Sequence, residues 1–334
     1  MSVPIIAFFN NKGGVGKTTL AYHLAWMFSD MGVTVLAADL DPQANLTAAF
    51  LEDDIQEAIW EPGYHGATIY ESILPLLRGT GDIADSHPLE IGDNLVLLAG
   101  DLLLSGFEDE LSSQWPRALS EDERAFRVQS ALWRVTQDAA AKGGCQLILM
   151  DLGPNLGAIN RASLISADHI IVPLAPDLFS LQGLRNLGPA FKRWRRDWRD
   201  RLDRKPTMNI ELPVGQLPLL GYVVQQHSVR LDRPVKAYDK WINRIPGDYR
   251  EFVLSENRST CVSVQDDPHK LAMLKHYRSL MPMAQEARKP MFHLKPADGA
   301  IGAHLQSAED ARGDFEALAK TIVAKANLPI ILSN

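Results

Sequence analysis

Six short runs of the chain are nearly unbroken in apolar residues, at 3–9, 33–38, 95–99, 147–150, 169–173 and 219–225. None alternates cleanly between apolar and polar positions, so neither face of such a strand is built to meet water. That pattern belongs to strands covered on both sides, as in a parallel sheet. Between these runs, 17–31, 123–142, 157–167, 181–204 and 310–326 carry apolar residues at helical spacing. Strand-like and helix-like segments in alternation predict a doubly wound, mostly parallel α/β fold. Neither an internal repeat nor a low-complexity tract interrupts it, and 52–87 and the proline-rich 205–218 read as excursions from the sheet. A single domain over 1–334 is expected.

At 334 residues and 46% hydrophobic content the chain can fill a large core. Two cysteines, Cys145 and Cys261, are too few for a disulfide framework, and neither has a partner at metal-ligand spacing. Reduced thiols in a cytosolic protein follow. The apolar start lacks a basic leader and runs straight into a glycine-rich loop, so it reads as a buried strand and not as a signal peptide. No apolar run is long enough to cross a membrane, and the tail 328–334 lacks the basic face of a membrane-seeking helix. A net charge of −7 argues against coating polyanions over the whole surface, leaving nucleic-acid contact only as a local possibility.

The strongest chemical signal is Lys12-Gly13-Gly14-Val15-Gly16-Lys17-Thr18-Thr19. It lies between a strand and a helix, the setting in which a glycine-rich loop wraps phosphate. Backbone N–H groups must turn inward there, which demands positive φ and no Cβ in the way. Lys17 then supplies a point charge to the β- and γ-phosphates, Thr18 offers a hydroxyl to Mg²⁺, Thr19 reaches the α-phosphate, and the helix N-terminus adds partial positive charge. The run 147–150 delivers Asp151 to the end of a buried strand, where open α/β sheets place their ligands. Asp151 reads as the second acid of a P-loop site, holding Mg²⁺ through water.

An ordinary P-loop has glycine where this chain has Asn11, and Lys12 supplies a second lysine. Here the sequence resembles the ParA/MinD family of P-loop ATPases with a deviant phosphate loop. The resemblance implies that Lys12 crosses a dimer interface to the partner's nucleotide. Asp39-Leu40-Asp41-Pro42-Gln43 is similar to the segment that separates ParA partition ATPases from MinD relatives. It implies Asp41 as the group that orients the attacking water and Asp39 as a supporting or Mg²⁺-linked carboxylate. Leu152 to Gly157 resembles the family's switch, with Gly153 in place of its first proline. Further likeness lies at 94–111, 173–184, 289–292 and 315–322. It is weak across 193–218 and 235–276, which with 52–87 read as divergent insertions, so adenine contacts are placed only at the strand end, at Gln225 and Gln226.

Residues 192–205 hold eight basic and three acidic side chains, a surplus of five positive charges in an acidic protein. Trp194 and Trp198 share one helical face. Arg195, Arg196 and Arg199 are candidate DNA contacts; a solvated amphipathic helix with arginine–aspartate pairs is the alternative. No helix-turn-helix precedes the first strand, so operator-specific binding is not expected. By resemblance, the chain is an ATPase using ATP and Mg²⁺. It would close as a homodimer on ATP, bind non-specific DNA and a ParB-like adaptor that stimulates hydrolysis, and associate with the nucleoid, not a membrane. The rival is an ATP-switched regulatory module that controls a partner protein without moving DNA. An iron-protein reductase would need cluster cysteines at the dimer seam, which Cys145 and Cys261 do not supply.

Overall fold

All six apolar runs form strands. In the computed structural model, which describes residues 2–61, 67–225, 240–258, 262–275, 277 and 279–333, they are β1 (Ile5–Phe8), β2 (Val35–Asp39), β4 (Leu95–Leu98), β5 (Leu147–Asp151), β6 (His169–Leu174) and β7 (Leu219–Gln225). Two short strands that the apolar pattern did not mark, β3 (Leu89–Gly92) and β8 (Lys270–Leu274), close the two edges. The eight-stranded order is β3-β4-β2-β5-β1-β6-β7-β8, parallel except for β3 against β4. Edge position explains the omission: β3 is only half-buried along its length, so it carries no continuous apolar run.

Alternate strand residues feed two separate cores. Ile5, Ala7, Leu36, Ile148 and Met150 face one helical layer, whereas Ile6, Phe8, Val35, Leu147 and Leu149 face the other. Both sets are fully buried, which is why these strands read as continuous apolar runs. The second layer holds α1 (Lys17–Asp30) and the closing helix, whose span Ala303–Ala326 begins seven residues before the predicted start. In the excursion after β2 lie α2 (Asn45–Phe50), α3 (Asp53–Trp60) and α4 (Ile69–Arg78), and the last buries Ile69, Ile73 and Leu76 in the first core. Next come α5 (Phe107–Arg117), α6 (Glu123–Gln129) and α7 (Ala131–Lys142). The last two divide the expected 123–142 helix at Ser130, whose hydroxyl donates back to the Phe126 carbonyl and competes with the backbone ladder.

After β5 comes α8 (Ala158–Ser166), and after β6 the long α9 (Leu178–Leu202). Three residues earlier than predicted, α9 starts because the Asp177 carboxylate accepts the Ser180 N–H at 2.8 Å and caps it. Gln226, Cys261 and parts of the segments 52–87 and 235–276 lie outside the described residues. No helix among the described residues is long and apolar enough to cross a membrane.

Gly188 is where α9 meets the irregular turn at 249–254: a Cβ there would stand 1.8 Å from the Phe252 carbonyl oxygen, a backbone atom that cannot swing aside. Gly188→Ala should therefore lower unfolding free energy by about 1–3 kcal/mol despite alanine's better helix propensity. Urea denaturation checks this, and an unchanged midpoint would contradict the packing.

Candidate nucleotide site

The loop between β1 and α1 is held from below before it turns. Asn10, fully buried, donates to the Pro173 carbonyl on β6 at 2.7 Å and accepts the Lys12 N–H at 3.0 Å. Val15 is buried as the loop's apolar anchor. Gly14 and Gly16 take φ of +71° and +79°, the left-handed region that favours glycine. A Cβ on Gly16 would also strike the Gln225 side chain, whose amide donates to the Gly16 carbonyl at 2.9 Å. Gly13, Gly14, Gly16, Lys17, Thr18, Thr19 and Asp41 line one open cavity of about 660 Å³, with Pro154 and Gln43 on its far wall.

Beneath this cavity the strand ends concentrate negative charge. Asp39 and Asp151 are direct neighbours across β2 and β5. Burial pushes the Asp151 carboxyl up to about 8, and the Asp39 charge adds to it, while the Thr18 hydrogen bond and Lys17 pull the other way. Burial raises Asp39 to about 6. Lys17 is lowered, again chiefly by burial, against the opposing pull of Asp151 and Asp41. Thr18 Oγ1 donates to Asp151 Oδ2 at 2.6 Å, whereas Asp151 Oδ1 is buried with no partner. An orphaned carboxylate oxygen beside a hydroxyl is a hard oxygen donor set, and it fits Mg²⁺. Among the described residues no cluster of three or more acidic, histidine or cysteine side chains forms a metal cage. Mg²⁺ held by one carboxylate and substrate phosphates needs none.

Asp39 does not share that orphaned state. Its Oδ2 accepts both the N–H and the hydroxyl of Thr47 at 2.8 Å, and its Oδ1 accepts the Asp41 N–H at 3.3 Å. Of the two readings the sequence left open, the geometry favours support over metal: Asp39 ties the 39–47 turn into shape. Gly100 packs against this carboxylate, where a Cβ would stand 2.9 Å from its carbon. Lys12 points out of the cavity. Its ammonium pairs with Asp177 at 2.6 Å at the start of α9. Burial alone would raise Asp177, but the Lys12 hydrogen bond and the Ser180 N–H outweigh it and hold the carboxyl below its ordinary value.

Next to the loop lies a smaller pocket of about 240 Å³ that brings Gln225 together with Leu274, Tyr277, Met281, Met291 and Phe315. Of these, only Gln225 was expected near the base. Met291 and Phe315 lie in the segments 289–292 and 315–322 likened to the family, Leu274, Tyr277 and Met281 carried no motif, and only folding brings all five beside Gly16.

Farther off, α9 turns Trp194 and Trp198 inward as expected, and Trp198 donates to the Pro213 carbonyl at 3.0 Å. Of the candidate arginines, Arg195 is half-buried and donates to the Leu217 carbonyl at 3.2 Å, while Arg196 and Arg199 are exposed. Arg196 pairs with Asp197 at 3.0 Å. At 1.5 Å per residue Arg195 to Arg199 stand about 27–33 Å along the helix from its Asp177 cap. The structure thus separates them from the phosphate loop.

An acid whose folded pKa exceeds its unfolded value weakens the fold as pH climbs between the two, because the unfolded chain gives up its proton first. For Asp151 that window runs from the ordinary carboxylate value up to about 8. Asp151→Asn should therefore raise the melting temperature of nucleotide-free, Mg²⁺-free protein by about 2–4 °C near pH 8.5 and by less near pH 6. Thermal denaturation at the two pH values reads the difference; a larger gain at the lower pH would contradict it.

The AAA-domain family model matches residues 3–204, more than half of the chain. The chromosome partitioning protein ParA of Caulobacter vibrioides is 29% identical over 199 residues, 60% of this chain and 66% of that protein. The chain spans about two thirds or less of the length of such chromosome-partitioning relatives. Among solved structures, a Corynebacterium diphtheriae protein has a TM-score of 0.70 at 24% identity, covering 98% of this chain and 99% of the other. A putative plasmid partition protein of Borrelia burgdorferi bound to AMPPNP has a TM-score of 0.59 at 19% identity, covering 97% and 99%. At these identities the two structures speak for the fold. Together with the loop, the sheet order and the matched family, they lead to one conclusion: the chain belongs to the ParA/MinD-type family of P-loop ATPases.

Proposed function

We propose that this chain is an ATP-driven switch of the partition type. Mg-ATP closes two copies face to face, the closed form engages non-specific DNA or a ParB-like adaptor, and hydrolysis reopens it. One observation carries the reading: the loop glycines, Lys17, Thr18 and Asp41 converge on a single open cavity, and behind its wall Thr18 donates to Asp151, whose other oxygen is buried without a partner. In it Gly13, Gly14, Val15 and Gly16 present backbone N–H groups to phosphate, Lys17 binds the β- and γ-oxygens, and Thr18 and Asp151 hold the metal. Mg²⁺, when bound, would supply positive charge against the phosphates. Asp41, only 7% exposed and at the cavity wall, orients water for attack on the γ-phosphorus. The apolar pocket beside Gly16 seats the base, with Gln225 at its edge.

Two features support closure of a dimer over this edge. Leu102, Leu103, Leu156, Leu178 and Phe179 are all exposed and all follow the C-terminal ends of β4, β5 and β6, around the cavity. Exposed apolar side chains gathered on one edge mark a surface that another protein covers. Lys12 stands at the same rim. Its pair with Asp177 is partly exposed and so worth about 0–1 kcal/mol, little enough to open when a partner's nucleotide offers a stronger anion.

Lys17→Ala should abolish ATP binding, whereas Asp41→Ala should bind ATP, lose turnover and accumulate as a dimer in sedimentation with Mg-ATP. A variant at Asp41 that stays monomeric with ATP bound would refute the assignment.

The remote position of the α9 arginines favours a second reading as well, in which ATP controls a partner protein and no DNA is held. Arg196→Glu with Arg199→Glu separates the two, since both side chains are exposed and Arg195, pinned to Leu217, is left intact. If α9 touches DNA, the slope of log affinity against log salt should shrink by about 2. An unchanged slope in a filter-binding series removes the helix from the contact.

A further inference from the structure

The loop from Leu152 to Gly157 joins the metal-side carboxylate to α8 and has no regular structure of its own. Pro154, Asn155 and Leu156 are exposed, and a glycine stands near each end. Within it, Pro154 restricts φ at one position and the Asn155 side chain turns back on Gly157. The loop lies directly against Asp41: a Cβ on Gly153 would stand 3.1 Å from Asp41 Oδ1. Whatever sets the position of Gly153 therefore sets the room around that carboxylate.

We propose that Asn160 and Glu108 are positioning residues that clamp this loop against Asp41. Asn160 is buried, and the two N–H groups of its amide are shared among the Gly153 carbonyl at 2.9 Å, the Asn155 carbonyl at 2.8 Å and Asn155 Oδ1 at 3.0 Å. Asn155 Oδ1 in turn accepts the Gly157 N–H at 2.8 Å. These bonds fold the loop back onto the first turn of α8. That turn is itself anchored from outside. Gly157 caps α8 without a side chain, so the first N–H groups of the helix would be orphaned. The Glu108 carboxylate, reaching across from α5, accepts them both, from Ala158 and from Ile159, the latter at 2.9 Å. A negative group at a helix N-terminus also meets the positive end of its dipole. Gly157 is required for this approach, because a Cβ there would stand 2.6 Å from Glu108 Oε1 and 2.8 Å from Asn155 Oδ1.

The chain of contacts thus runs from Glu108 to the start of α8, through Asn160 to the Gly153 carbonyl, and from Gly153 to Asp41. Neither Glu108 nor Asn160 lines the nucleotide cavity. The phosphate loop keeps its own anchors at Asn10 and Val15 when the clamp is released, whereas Gly153 is free to drift, so turnover suffers far more than ATP affinity. This rests on the reading of Asp41 as the water-orienting group.

The test uses the full chain with Mg-ATP, measuring single-turnover hydrolysis and, separately, ATP affinity by titration. Glu108→Ala and Asn160→Ala should each slow hydrolysis about tenfold while ATP affinity changes less than about twofold. Glu108→Gln, which keeps one acceptor oxygen and carries the test should the alanine variant fail to fold, should recover most of the rate. In an Asp41→Ala background, Glu108→Ala should slow hydrolysis no further, since both act on one element. Parental rates in both alanine variants overturn the proposal, as does a loss of rate matched by a loss of affinity or a full multiplicative loss in the Asp41→Ala background. Should Asp41→Ala itself hydrolyse ATP at the parental rate, the reading of the site falls and this proposal with it, an outcome recognisable without the Glu108 variants.

Discussion

The pairing of β5 between β1 and β2 is the constraint on which the rest of the site depends. It sets Asp151 level with Phe8 on one side and with Asp39 on the other. Every residue below that line in the three strands is apolar and fully buried, so the carboxylates emerge from the core at the edge where the chain turns over. Charge placed there cannot be solvated from beneath. Burial consequently raises both acids and lowers Lys17, and the site is held in a state that an incoming cation and anion would relieve.

Around that edge the polar groups divide into those already satisfied and those left open. Asp39 spends its oxygens on Thr47 and Asp41 and builds the turn; Asn10 ties the phosphate loop to β6; Glu108 caps α8. Of the two strand-end acids, Asp151 has the one buried oxygen without a partner. A buried carboxylate oxygen without a hydrogen bond costs folding free energy, and the two packed cores offset that cost. The division separates scaffold from site more sharply than residue type does, since aspartates appear on both sides of it.

The long helix α9 links two surfaces of different character. Its capped start lies beside Lys12 and the exposed Leu178 and Phe179, on the nucleotide edge. Its far end carries the basic residues and is fixed to the body through Trp198, Arg195 and Arg201, the last lying over the Trp115 ring at 3.8 Å. One continuous helix thus runs between the nucleotide edge and the basic end, although the two surfaces are well separated.

Periodicity and motif chemistry alone determined six of the eight strands, the strand–loop–helix setting of Lys12 to Thr19, and the delivery of Asp151 to a strand end. These are local properties: a strand buried on both faces must be continuously apolar, and a phosphate loop must have glycine where φ is positive. Tertiary structure decided what depends on neighbours distant in sequence. It gave Asp39 its partners, because Thr47 and Gly100 reach it only with α2 and β4 in place. It sent Lys12 to Asp177, gathered Leu274, Tyr277 and Met281 beside Gly16, and set Glu108 under α8. A carboxylate looks the same in sequence whether its oxygens are spent or free; only the packing of other segments around it settles which.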